Sequence, residues 1–198
     1  MKKLIKESLK NSMTYKDYVE LVAHLAEHDS TTGNQKTESL IGYTKLNDRR
    51  MRRWDKTLKI GDDIQGRIEN LDKEITWLVL TESWCGDAAH MMPVMKKMAD
   101  LNKNIDLKVL LRDDNEELMQ NFLTEGSKAI PKLISIDSHS GEVQKTYGPR
   151  PSNATTLVKE YKAQHGQLSP EFKEDLQRWY NKDKGQTTFN DLADLLGI

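Results

Sequence analysis

The segment Ile75-Thr76-Trp77-Leu78-Val79-Leu80-Thr81 is a short, continuous apolar run without polar alternation, and it reads as a strand buried on both faces. Such a strand needs helices on both sides of its sheet, which restricts the chain to an α/β arrangement. Glu82-Ser83-Trp84-Cys85-Gly86-Asp87-Ala88 follows, and a helical pattern runs from there through Met92, Met95, Met98 and Leu101. A second strand spans 105–111, and a short helix covers about 115–123 and ends near Gly126. Residues 132–136 and 143–147 flank the turn Asp137-Ser138-His139-Ser140-Gly141 and form a hairpin. Ser152 or Asn153 opens a helix that stops near Gly166. The order β-α-β-α-β-β-α predicts a mixed sheet with helices on its faces.

Helical patterns flank this core on both sides, which predicts three zones: an N-terminal helical extension over 1–71, the core over 72–166, and a C-terminal helical tail over 167–198. In the first zone Thr14 is a candidate N-cap for a helix carrying Tyr15, Tyr18, Val19, Val22, Leu25 and Ala26 inward. Asp29-Ser30-Thr31-Thr32-Gly33-Asn34 breaks it. A longer helix over about 37–58 offers Leu40, Tyr43, Leu46, Met51 and Trp54 as inward residues, and Asp62 or Asp63 caps a short one through Ile64, Ile68 and Leu71. In the tail, Ser169-Pro170-Glu171 is a helix start, with Phe172, Leu176, Trp179 and Tyr180 on its apolar side.

Charge and composition exclude several function classes. Lys and Arg number 30 against 31 Asp and Glu, a formal net charge of −1, so no global field favours nucleic acid or anionic lipid. No segment approaches the roughly 20 apolar residues of a membrane span. The basic start of the chain lacks the apolar stretch of a secretory signal. A single cysteine excludes an intrachain disulfide and fits a reducing compartment, so a cytoplasmic protein is expected. No cofactor and no metal are expected either. Met91, Met92, Met95 and Met98 read as core packing. His24-Leu25-Ala26-Glu27-His28 matches a zinc-peptidase spacing but shares its face with Asp17 and Glu20, the pattern of a solvated helix surface.

Chemistry therefore concentrates on Cys85. A thiol where a strand hands over to a helix meets first-turn N–H groups, which favour the thiolate by about 0.3–1 kcal/mol, up to about 2 when partly buried. Asp87 and Glu82, if close, oppose ionisation, and the sequence leaves the balance between the two effects open. Arg49-Arg50-Met51-Arg52-Arg53-Trp54 is the densest basic patch, and its usual role is pairing with neighbouring carboxylates. A sharper expectation is that one or two of Arg49, Arg52 and Arg53 lean over Cys85, stabilising its thiolate or binding the carboxylates of a small thiol, with Arg150 a similar candidate.

The strand, the Trp84-Cys85-Gly86 sequence at a helix start, Pro93 eight residues beyond the cysteine, and Ala129-Ile130-Pro131 before a strand together resemble the thioredoxin family. The likeness covers about 75–166. The flanking helices, the Trp-Cys-Gly-Asp-Ala form and Tyr147-Gly148-Pro149-Arg150-Pro151 resemble small bacterial thioredoxin-like proteins. The resemblance implies a thioredoxin-like mixed sheet and an exposed nucleophilic thiol at Cys85. It also implies a substrate-contacting rim of Trp84, Gly86, Asp87, Ile130 and Pro131, with Pro131 cis. Two departures stand out. Ala88 occupies the position of the resolving cysteine, and Val79 that of the buried aspartate that serves it. A dithiol cycle within one chain is excluded. The expected activity is single-thiol exchange with protein or low-molecular-weight disulfides, resolved by an external thiol. The alternative is a redox-inactive binding module on the same scaffold.

Overall fold

The computed structural model describes residues 1–198. Its elements are α1 (Lys2–Lys10), β1 (Met13–Thr14), α2 (Tyr15–Glu27), α3 (Glu38–Thr57), α4 (Asp62–Glu69), β2 (Ile75–Thr81), α5 (Gly86–Ala99) and β3 (Ile105–Leu111). They continue as α6 (Glu116–Gln120), β4 (Lys132–Asp137), β5 (Val143–Tyr147), α7 (Ser152–His165), α8 (Pro170–Asp183) and α9 (Gln186–Leu196).

All seven residues of β2 are buried, which is why it sits at the centre of a sheet ordered β1-β3-β2-β4-β5. It runs parallel to β3, with Ile75 opposite Ile105, and antiparallel to β4, with Ile75 opposite Asp137. β4 and β5 make the antiparallel hairpin, with a register shift between Ser135 and Ile136. The architecture is a mixed α/β sheet of thioredoxin-like form with helical extensions. The two-residue edge strand β1 pairs antiparallel with β3, and Met13-Thr14 is too short to show strand periodicity in the sequence.

Helix termini follow local chemistry. Thr14 and Asp17 form a reciprocal capping box on α2, and Ser169 accepts the Phe172 N–H at the start of α8 with Pro170 in the first turn. Asp191 of α9 caps α7 from outside: its carboxylate accepts from Ser152 N at 2.7 Å, from the Ser152 hydroxyl at 2.7 Å and from the Tyr147 hydroxyl at 2.8 Å.

One continuous core draws residues from all three sequence zones: Tyr18, Met51 and Trp54 from the first, β2 and the α5 methionines from the second, and Tyr180, Phe189 and Leu192 from the last. The inward face of α3 corrects an expectation. Met51 and Trp54 are buried, but Tyr43 and Leu46 are exposed, and Thr44 and Asn47 point inward instead. The reason is that the amino-terminal half of α3 packs on a polar loop. Ser83 Oγ lies 2.8 Å from Thr44 Oγ1 and 3.1 Å from Thr31 Oγ1 and accepts the Thr32 N–H, while Asn47 donates to the Ser83 carbonyl. Buried hydroxyls need such partners, and an apolar stripe would leave them unpaired.

Candidate active site at Cys85

β2 ends at Thr81, and a four-residue loop carries the chain into α5 with Cys85 as its N-cap. The loop is held from both sides. The Ser83 cluster ties it to the 28–37 loop and α3, and the buried Tyr18 hydroxyl donates to the Glu82 carbonyl at 3.2 Å. The Cys85 sulfur accepts the Ala88 N–H at 3.5 Å, and its S–H donates to the Ile130 carbonyl at 3.3 Å. Ile130–Pro131 is a cis peptide, so the thiol faces the turn that opens β4. Val79 is fully buried in β2 and Ala88 in α5, so neither an acid nor a second thiol lies at the two positions where the sequence departs from the resemblance.

The expectation of a solvent-reachable thiol is corrected here: Cys85 keeps only 7% of its surface. Burial pushes the thiol up to about 12, and the nearby Asp87 carboxylate adds to this. The Ala88 N–H and the Arg150 guanidinium pull the other way without prevailing. The balance left open by the sequence falls against the thiolate, and on the order of one thiol in 10⁴–10⁵ is ionised at neutral pH. Glu82 turns elsewhere, accepting the Asp113 N–H at 2.8 Å.

Three elements converge on the first turn of α5. Asp87, whose side chain is 11% exposed, pairs with Arg150 at 2.9 Å and accepts the Tyr180 hydroxyl at 2.8 Å. Burial raises its carboxyl above the usual range, opposed by Arg150, Tyr180 and Arg50. Arg150 reaches this place because Gly148 lets the β5–α7 loop press onto Pro131: at φ +103°, a Cβ on Gly148 would sit 2.1 Å from the Pro131 carbonyl oxygen. Behind Asp87, Trp54 Nε1–H donates to His90 Nδ1 at 2.8 Å, which leaves His90 Nε2–H to donate to Gln177 Oε1 at 2.9 Å. The His90 ring stacks on Tyr180 at 4.3 Å, and burial depresses its basicity to about 3.

The arginines of α3 divide between two faces. Arg49 and Arg52 line a groove against α2 with Glu27 and Asp48, and Arg52 pairs with Asp48 at 2.9 Å. Arg53 bonds Asn181 of α8 at 2.6 Å. The guanidinium beside the cysteine motif is that of Arg50: its Nη1 lies 3.6 Å from where a Gly86 Cβ would be. Trp84 is half-buried beneath the Arg112 guanidinium, 5.0 Å from its ring centre. The structure thus gathers Cys85, Gly86, Asp87, Ile130, Pro131 and Arg150, and adds Arg50, His90, Gln177 and Tyr180, to none of which the sequence assigns a place at the site. Met91, Met92, Met95 and Met98 are all buried. His24 and His28 stack at 4.1 Å on an exposed helix face, and no group of three or more His, Cys, Asp or Glu side chains is placed to hold a metal ion. No helix is long and apolar enough to cross a membrane.

A family model described as thioredoxin matches residues 33–162, from the Ser83-binding loop through most of α7. The fold is similar to the crystal structure of a protein of unknown function from Pseudomonas aeruginosa, 14% identical, covering 93% of this chain and 98% of that one with a TM-score of 0.59. An HIV epitope scaffold matches with the same identity, coverage and TM-score. Comparison with the curated proteins finds no match.

Proposed function

Since the chain belongs to the thioredoxin family, we propose that it performs disulfide exchange through one thiol, Cys85. One observation carries this reading. The chain's single thiol caps the first turn of α5 and lies 3.3 Å from the Ile130 carbonyl beside Pro131, where a strand-like substrate meets both backbone and sulfur.

In the proposed reaction Cys85 loses its proton and its thiolate attacks one sulfur of a disulfide. A Cys85 mixed disulfide forms, and the other sulfur leaves as a thiolate. With Ala88 at the position of a second thiol, an external thiol then attacks the mixed disulfide, releasing a new disulfide and restoring Cys85. The incoming disulfide, from a protein or a small thiol, contacts Trp84, Gly86, Asp87, Ile130 and Pro131. Arg150 acts through Asp87, pairing with that carboxylate at 2.9 Å and offsetting the negative charge beside the sulfur. A free cysteine with this role suits a reducing compartment such as the cytoplasm.

A second reading has its own observation. Burial to 7% exposure and a thiol pushed up to about 12 fit a scaffold that binds a partner without chemistry. Turnover of hydroxyethyl disulfide with glutathione as electron donor decides between them. Exchange predicts steady turnover that Cys85→Ser abolishes. No turnover in the wild type, or full activity in Cys85→Ser, overturns it.

A further inference from the structure

We infer that Arg50 makes Cys85 selective for low-molecular-weight disulfides bearing carboxylates over neutral or cationic ones. The inference rests on the exchange reaction proposed above and names its substrate class. Arg150 is matched by Asp87 at 2.9 Å, whereas Arg50 has no carboxylate within salt-bridge distance and holds only Asn47 Oδ1 at 3.1 Å. Arg53, one turn further along α3, also lacks an acidic partner and bonds the neutral Asn181. Thus Arg50 and Arg150 share one carboxylate, Asp87, at the amino-terminal turn of α5, where the helix end is itself electropositive. The Nε–H of Arg150 is buried there without an acceptor.

Cationic groups left this close together repel one another, and partial desolvation makes the repulsion larger. An anion relieves it. Arg50 Nη1 and Gln177 Nε2 border Gly86 at van der Waals range, 3.6 and 3.8 Å from where its Cβ would be, which sets the Arg50 fork one residue from Cys85. The half of a small disulfide that becomes attached to Cys85 projects from the sulfur next to Gly86. A carboxylate on that half meets the Arg50 fork, with two parallel N–H donors matching its two oxygens. An ammonium in the same place meets like charge.

The exchange is balanced with any symmetric disulfide: one S–S bond breaks, one forms at Cys85, and one thiolate leaves. The test therefore compares three disulfides that differ in charge, namely oxidised glutathione, hydroxyethyl disulfide and cystamine. Each rate of Cys85 adduct formation, read by intact mass, is divided by the rate with the urea-unfolded chain to remove intrinsic reactivity. The wild type is expected to rank glutathione first and cystamine last, with steps of roughly three- to tenfold that shrink at high salt. Arg50→Gln should remove the glutathione advantage by slowing glutathione far more than hydroxyethyl disulfide, and Arg50→Lys should restore part of it. Equal normalised rates in the wild type, or equal slowing of all three by Arg50→Gln, overturn the selectivity while leaving exchange intact. Failure of all three disulfides in the folded wild type overturns the exchange reaction itself, and the selectivity with it.

Discussion

Replacing Asp87 by Asn tests how the site sets the reactivity of its sulfur. Burial is the largest contribution raising the Cys85 thiol to about 12, and the Asp87 carboxylate is the next. Two like unit charges repel by about 4 kcal/mol at 4 Å and an effective dielectric constant near 20, and by less as they separate. Arg150 at 2.9 Å and the Tyr180 hydroxyl at 2.8 Å already spread and offset much of that charge. The net effect of Asp87→Asn is thus a fall of about one unit in the thiol, or about tenfold more thiolate at any pH below its midpoint. The amide oxygen still accepts from Tyr180 and Arg150, while Arg150, freed of its counter-charge, pulls the thiol further in the same direction. The assay is the pH dependence of iodoacetamide labelling at Cys85, followed by intact mass, with thermal melting to verify the fold. The wild-type rate should climb tenfold per pH unit through pH 10 without a plateau, and Asp87→Asn should run about tenfold above it. A wild-type plateau with its midpoint below pH 9 refutes the reasoning. So does an Asp87→Asn rate equal to or below wild type.

Two further outcomes follow from the same geometry. Gly148→Ala sets a methyl against the Pro131 carbonyl oxygen at a backbone angle disfavoured for alanine, and should cost at least about 3 kcal/mol, a melting-point loss of roughly 6–12 °C; a loss under 2 °C contradicts the close approach. His90, depressed to about 3 in the folded chain, binds its proton more readily when unfolded, so its contribution is complete above about pH 6.5 and fades as pH falls towards 3. Burial raises the Asp55 and Glu82 carboxyls, which gives the opposite slope. The difference in urea-unfolding stability between wild type and His90→Gln isolates the histidine, and between pH 7 and 4.5 it should shrink by up to about 2.7 kcal/mol. A difference independent of pH contradicts a neutral, Nε2-protonated ring.

How much of this was legible in the chain depends on the distance over which each feature is encoded. β2 announces itself because seven consecutive residues must all be buried, and Ser169-Pro170 announces α8 because capping is local chemistry. The position of Cys85 at a helix start was equally readable. Its burial was not, because the segments around it are remote in the chain: the Ile130 carbonyl on the sulfur lies 45 residues on, and Tyr180 and Gln177, on the neighbouring Asp87 and Gly86, some ninety. Nor was the identity of the arginine beside it. Arginines at 49, 50, 52 and 53 point in nearly every direction around α3, so spacing alone does not select one. The selection depends on Asn47, Arg50 and Trp54 sharing one face, and Asn47 goes inward to bond the Ser83 carbonyl rather than to fill an apolar space. A polar residue used as an inward contact defeats an apolar-stripe reading, which is also why Tyr43 and Leu46 face solvent although their spacing points them inward.

The most direct measurement is a stoichiometric one: folded protein mixed with oxidised glutathione at pH 8.5, followed by intact mass over time and then by addition of a reducing thiol. The expected result is one glutathione per chain, mapped to Cys85, forming slowly and released completely by the added thiol. A folded chain that stays unmodified while the urea-unfolded chain reacts would contradict disulfide exchange at this site.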